Sequence, residues 1–343
     1  MLDPIAITMP RLPSSPLRNG LPENEPADAG LSAEGLYQLG CMLKRSGYAF
    51  TTVTPATHQR VNARPGNHQA ADAAGIFGWS RPFPPARIDK ALLRQMVLAG
   101  VLTDLDLPNW RVKVRASTLD GQLYFHSAYP TTERDAVFFG PDTYRFVRAL
   151  RQQLQHDHRA PRRVADIGCG AGPAAISLAL RYPQAQVVAV DINPAALAMT
   201  QVNARLAGAA NLQASHSNLF SKLEGEFDLI VSNPPYLLDG EQRAYRHGGG
   251  ALGAGLSLSI VRAALERLAP GGSLMLYTGV AMINGCDPFR AEVETMLSDS
   301  GFTWIYDEID PDVFGEELEQ PAYRCTERVA AVWLCASRPE ARP

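Results

Sequence analysis

From about residue 160 onward the chain alternates short apolar strands with helices, and this alternation restricts its fold more than any other feature. VADIG (164–168) reads as a buried strand, followed by a glycine turn and a helix from Pro173 to Arg181. QVVAVD (186–191) is the next strand. Asn193 then caps a helix with Pro194 in its first position, Ala195, Ala198, Val202 and Leu206 along one face, and Gly208 as its stop. NLQAS, FDLIVS (227–232), a helix carrying Leu258, Val261, Leu265 and Leu268, and SLMLYTG (273–279) continue the rhythm. Each helical crossover brings the chain back to the same end of the sheet, so these strands run parallel and need cover on both faces. FTWIYDEI (302–309) and RVAAVWLCA (328–336) have no helix between them and are expected to form an antiparallel edge hairpin. The fold class is α/β: a Rossmann-like, mostly parallel sheet with an antiparallel edge.

Ahead of this lies a smaller unit of different texture. Residues 1–30 carry Pro4, Pro10, Pro13, Pro16, Pro22 and Pro26 among polar residues, the composition of a flexible tail. Ser32 is placed to cap a helix reaching about Arg45, with Leu36, Leu39 and Leu43 at helical spacing. Residues 48–86 read as loop or short elements anchored by Phe77, Trp79 and Phe83. A second helix is expected over Asp89 to Ala99, with Gly100 as its stop. RVKVRAS (111–117) and QLYFHSA (122–128) follow as strands about the turn signal Asp120-Gly121. The organisation expected is a tail over 1–30, an α+β substrate-recognition domain over 31–130, and a larger domain over 131–343. No internal repeat is visible.

Composition excludes several classes. The 343 residues are 46% hydrophobic with a formal net charge of -3, which rules out wholesale disorder. No segment approaches the ~20 apolar residues of a bilayer span, and the N-terminus lacks a secretory signal's basic start and apolar core. Cys41, Cys169, Cys286, Cys325 and Cys335 form no CxxC pair, and the seven His do not join them at ligand spacing. A cytoplasmic protein with reduced thiols, no metal site and no membrane attachment is expected. Charge divides unevenly: residues 1–150 hold 16 Lys and Arg against 13 Asp and Glu, and residues 151–343 hold 16 against 22. Eleven carboxylates and one base, Arg290, lie between Asp287 and Glu319.

Asp166-Ile167-Gly168-Cys169-Gly170-Ala171-Gly172 closes the first strand of the alternating half and opens a helix. Glycines let the backbone turn sharply and a ligand approach without a Cβ in the way, and the amides of the helix start suit a negative or strongly polar group. A nicotinamide-binding turn would read G-x-G-x-x-G, whereas here the third glycine comes one residue early and position 173 is Pro. Asp191 ends the second strand, where a carboxylate can accept two hydrogen bonds from a ribose diol; the bland alternative is that it only starts the next helix, a task Asn193-Pro194 already perform. Ile192 follows it. Strand four runs into Ser232-Asn233-Pro234-Pro235-Tyr236. Consecutive prolines stiffen the backbone and remove two N–H donors, leaving a rim of acceptors. The Asn233 side-chain carbonyl and the Pro234 carbonyl can hold both hydrogens of an NH2 group while the Tyr236 ring offers a flat face to a planar amide or base. An amide or aromatic amine nitrogen is a poor nucleophile because its lone pair is delocalised; two acceptors that fit a pyramidal nitrogen better than a planar one stabilise its transition state selectively.

DIGCGAG, VVAVDINP, SNLF and SNPPY together resemble the class I S-adenosylmethionine-dependent methyltransferases that modify planar nitrogens. The resemblance covers about residues 136–343, and within the group it is similar to the release-factor glutamine methyltransferases. Phe139-Gly140-Pro141-Asp142-Thr143 resembles their substrate-side element upstream of the glycine motif. It implies S-adenosylmethionine as cofactor, held by Asp166, Gly168, Gly170, Gly172, Asp191, Ile192, Asn218, Leu219 and Asn233. Asn233, Pro234 and Tyr236 would be catalytic, Pro141, Asp142, Thr143 and Pro235 would face the substrate, and that substrate would be a glutamine amide in a protein. There are departures. The family's five-helix N-terminal domain is not evident, and Asn218 stands where many relatives carry Asp. SNLFSKLEGEFDLIVSNPP is equally similar to the small-domain guanine-N2 methyltransferases of ribosomal RNA.

RNA is therefore the runner-up partner, with a small-molecule amine or amide third; a nicotinamide oxidoreductase is disfavoured. The local support for RNA is Arg111, Lys113 and Arg115, alternating beside Tyr124 and Phe125; the bland reading is a solvated strand face over Val112 and Val114. The acidic run argues the other way by repelling phosphates. Trp304, Phe314 and Tyr323 read as packing, and Glu241, Tyr245 and His247 as part of a mobile loop closing on substrate.

Overall fold

The computed structural model describes residues 30–103, 109–155, 159–298 and 300–341. The proline-rich tail, apart from Gly30, lies outside the described residues.

The N-terminal unit opens with α1 (Ala33–Arg45), whose cap Ser32 accepts a hydrogen bond from the Gly35 amide, and continues with α2 (Pro55–Asn62). One π-helical turn (Ala74–Gly78) precedes α3 (Lys90–Leu98), where the Asp89 carboxylate accepts from the Ala91 and Leu92 amides. The two expected strands form the antiparallel pair β3 (Val114–Leu119) and β4 (Gln122–Ser127), joined at Asp120 and Gly121, both with positive φ. The first does not begin at residue 111 as its composition suggests. Instead Arg111–Val112 forms a separate strand, β2, paired with β1 (Leu102–Thr103), and the Lys113 amide leaves the ladder to bond the Val101 carbonyl.

Arg115 fits neither reading of the basic strand. It is buried, donates from Nε to the Gly78 carbonyl at 2.9 Å, and lies over the Phe50 ring. Removal from water pushes its guanidinium down to about 10. A cation so enclosed contributes neither to an outer face nor to a phosphate-binding stripe.

The second unit begins at α4 (Pro141–Gln155), and the alternation follows as read: β5 (Arg163–Ile167), α5 (Pro173–Arg181), β6 (Gln186–Asp191), α6 (Pro194–Ala207), β7 (Leu212–His216), β8 (Phe227–Ser232), α7 (Gly255–Arg267) and β9 (Leu268–Met282). Leu268, read as helical, starts β9. Then come α8 (Pro288–Leu297), β10 (Thr303–Asp310) and β11 (Arg328–Ser337). The seven strands are ordered β10-β11-β9-β8-β5-β6-β7. Five are parallel, and β11 runs antiparallel between β9 and the edge strand β10, the expected hairpin.

Two apolar layers cover this sheet. Ala165, Ile167, Ile230, Leu274 and Val332 pack with α7 and α8 on one side. On the other, Val164, Val187, Leu229 and Tyr277 join a layer that includes α4, α5 and α6 and continues through Leu39, Phe77, Met96 and Phe125 of the N-terminal unit. Buried Asn203 on α6 fastens the two units: its Oδ1 accepts from the Phe125 amide at 2.8 Å, and its Nδ2 donates to the Phe125 and Ala171 carbonyls at 3.0 and 2.9 Å.

Candidate active site

The chain leaves β5 for β6 on one side of the sheet and returns as β8 on the other, so the strand ends diverge there and open a crevice at their carboxyl edge. The register pairs Ile167 with Ser232, and the Ser232 hydroxyl donates to the Ile167 carbonyl at 2.6 Å. The glycine turn and Asn233-Pro234-Pro235-Tyr236 are thereby brought side by side, although 65 residues separate the bonded pair. The cofactor, catalytic and substrate-side residues expected from sequence all line the resulting cleft except Pro141, the first residue of α4, and Gly172, the residue before α5.

Gly168, Gly170 and Gly172 have φ of 73°, 55° and 83°, a region that side-chain-bearing residues avoid. A Cβ at Gly168 would meet nothing within 4 Å, so the turn presents bare backbone to the cleft; one at Gly172 would press on Thr200. The Asp191 carboxylate accepts from the Gly170 amide at 3.0 Å through one oxygen and the Asn193 amide at 2.9 Å through the other. It thus shapes the turn as well as the helix start, and each oxygen retains a lone pair for a ligand. Burial raises its pKa, against the pull of those amides. Asp166 is more extreme. It is 2% exposed and accepts from the Ala175 amide at 3.0 Å; burial, with the Asp191 charge adding to it, pushes its pKa up to about 7. Ile192 and Asn218 are exposed at the rim, and Leu219 turns with φ 49°. This donor set (bare glycine amides, a diol-accepting carboxylate, a rim amide and apolar walls) fits a nucleoside with a polar tail.

On the opposite wall Asn233 is half-buried, and among the described residues nothing hydrogen-bonds its carboxamide. Tyr236 does not offer the open face expected of it. Its ring is 6% exposed and stacked on Gly279, and its hydroxyl donates to Asp142. Asp142 also accepts from the Tyr277 hydroxyl at 3.0 Å and Arg145 at 2.8 Å; burial raises its pKa, and these three partners oppose that. Asp142 therefore works as a buried bracket between α4 and the Pro-Pro turn. The Thr143 hydroxyl accepts from the Gly140 amide at 3.2 Å at the start of that helix.

Cleft residues that sequence reading passed over are Phe138, Arg246, Leu256, Ile260 and, as a wall residue, Phe314. The signal for Phe138 was present, the first of two phenylalanines ahead of Gly140-Pro141; nothing local marks Phe314, which arrives from 78 positions beyond Tyr236. The loop after Tyr236 is tied down rather than loose. Arg243 pairs with Asp239, Arg246 with Glu317, the Tyr245 hydroxyl donates to the Thr131 carbonyl at 2.8 Å, and His247 Nδ1 accepts from the Asp239 amide at 3.1 Å. Glu241 is exposed, with Arg243 as its partner at 3.4 Å.

Residues 144–282 match the family described as Methyltransferase small domain. Residues 144–282 thus carry a methyltransferase domain, and the cleft just described belongs to it. Among individual proteins it is 29% identical over 215 residues to the release factor glutamine methyltransferase of Deinococcus radiodurans, covering 60% of this chain and 73% of that one. It is 40% identical over 169 residues to the protein of that name from Geobacter sulfurreducens (45% and 56% covered) and 33% identical over 168 residues to the ribosomal protein uL3 glutamine methyltransferase of Neisseria gonorrhoeae (46% and 53%). The chain thus spans from about half to about three quarters of the length of these relatives. No helix among the described residues is long and apolar enough to cross a membrane.

Proposed function

We propose that the chain methylates the side-chain amide nitrogen of a glutamine in a protein of the translation apparatus, in the cytoplasm. The observation that carries this reading is the unengaged Asn233 carboxamide on a proline-stiffened turn, bonded through Ser232 to the strand that ends in the glycine turn. S-adenosylmethionine would supply an electrophilic methyl group, whose bond to sulfur breaks as the bond to nitrogen forms, the electron pair leaving with the neutral thioether. The glycine amides, Asp166, Asp191, Ile192, Asn218 and Leu219 would hold it. The Asn233 Oδ1 and Pro234 carbonyl accept the two amide hydrogens and favour the pyramidal nitrogen of the transition state. The acceptor proton is lost to solvent once the nitrogen carries the methyl group, so no base is needed before attack. Tyr236, Asp142 and Thr143 set the pose of that turn, with Pro141 and Pro235 on the acceptor side. Residues 31–130 recognise the partner and 131–343 perform the transfer. A nucleobase amine has the same planar nitrogen, but burial of Arg115 removes one member of the basic strand that favoured RNA. The test is to incubate cell extract with radioactive cofactor and treat it with protease or ribonuclease. Release of the counts by protease, and their loss in Asn233→Ala with cofactor binding retained, is expected. Release by ribonuclease alone would overturn the glutamine assignment.

A further inference from the structure

The acceptor-facing aromatic of this cleft has to be reassigned, because Tyr236 is not free to fill that place. The Gly279 backbone covers its ring, so that a Cβ there would overlap it, and its hydroxyl is committed to Asp142. What stands next to it is Phe314, with ring centroids 5.8 Å apart and planes at 76°. Phe314 is half-buried and lines the same cleft as Asn233 and Pro234. Its backbone has φ 53° and ψ 41°, a left-handed conformation that side-chain-bearing residues avoid. The surrounding segment imposes it. The Val313 amide bonds the Val329 carbonyl at 2.8 Å, Glu317 is buried against Arg246, and the Tyr323 hydroxyl accepts from the Leu238 amide at 2.8 Å. The connection between β10 and β11 is therefore clamped at both ends, in part onto the loop that follows Tyr236, and the bulky residue it holds against its backbone preference is the one whose ring reaches the cleft. Strain retained at such a point marks a side chain whose position matters.

We propose that Phe314 is a specificity-determining residue: its ring forms the face on which the planar nitrogen group of the acceptor stacks, and Tyr236 is the pillar behind it. The proposal rests on the functional reading above only for the identity of that acceptor. Stacking of a base on an aromatic ring contributes about 1–3 kcal/mol, corresponding to roughly a fivefold to 150-fold change in a binding constant.

Phe314→Gly and Phe314→Tyr test it. Glycine adopts φ 53° without strain, so the turn keeps its shape while the ring is deleted. For whichever acceptor the unaltered enzyme labels, Phe314→Gly is expected to raise KM about tenfold or more and to leave S-adenosylhomocysteine binding near wild type, and Phe314→Tyr to restore most of the loss. An unchanged acceptor KM in Phe314→Gly, or an equal loss of cofactor affinity, overturns the proposal. If the unaltered enzyme labels RNA, the glutamine assignment fails while the same variants on that RNA still decide the role of Phe314.

Discussion

Replacing Asp166 by asparagine separates the electrostatic role of this residue from its shape. The carboxyl is 2% exposed, and burial, with the neighbouring Asp191 charge adding to it, lifts its pKa from 3.8 to about 7. A raised value in the folded state means that the fold binds this proton more tightly than the unfolded chain does. The stabilisation is complete below pH 3.8 and disappears as pH rises through about 7. A shift of about 3 units at 1.36 kcal/mol each amounts to about 4 kcal/mol, of which about 2.5 kcal/mol falls between pH 5 and pH 8. The asparagine side chain has nothing to titrate, but its NH2 brings a buried donor, costing about 1–3 kcal/mol at every pH. In urea unfolding of the cofactor-free protein, Asp166→Asn should therefore be the less stable or equal form at pH 5. It should gain on the unaltered chain by about 2–3 kcal/mol at pH 8. A stability difference that is the same at both pH values, within about 0.5 kcal/mol, would refute the assignment of this ionisation to Asp166. The same titration should appear in binding: the cationic cofactor favours the ionised carboxyl, so its affinity should rise from pH 6 to pH 8 in the unaltered chain and stay flat in the variant.

Asp191→Ala removes the acceptor of the Gly170 and Asn193 amides as well as the ribose contact proposed for it, so both the thermal midpoint and S-adenosylhomocysteine affinity by calorimetry should fall, the latter by a few kcal/mol at most. An unchanged affinity would place the ribose elsewhere. Gly279→Ala puts a methyl group into the Tyr236 ring; methyl transfer should drop sharply while cofactor binding persists, and normal turnover would show that the ring's position is immaterial. Asn203→Ala leaves one amide and two carbonyls of the inter-unit seam without their partner and should lower unfolding free energy by about 3 kcal/mol in denaturant titration, a loss under about 1 kcal/mol being the contrary result.

The alternation, the caps at Ser32 and Asn193, and the glycine turn were legible because each is a local device: apolar periodicity, a side-chain oxygen for a helix amide, a residue tolerant of positive φ. The pairing of that turn with Asn233 followed from sheet topology. What escaped the reading was long-range. Arg115 looked like a surface cation because alternation specifies faces, not what later covers them, and the Phe50 ring and the Gly78 carbonyl come from outside its hairpin. Tyr236 looked open because the wall that encloses it, Gly279 and Phe314, lies 43 and 78 residues downstream.

The apolar layer shared by Leu39, Phe125, Ala171 and Val187, with Asn203 threaded through it, has a consequence for how such a chain could diversify. A recognition part joined by a linker could be exchanged for another without disturbing the chemistry. Here the β4 backbone and the carbonyl of Ala171 in the cofactor turn hang from one amide group, so grafting a foreign front half would unseat the glycine turn itself. New partners are more readily acquired by remodelling rims such as the β10–β11 connection, which alters what enters the cleft and leaves the seam intact.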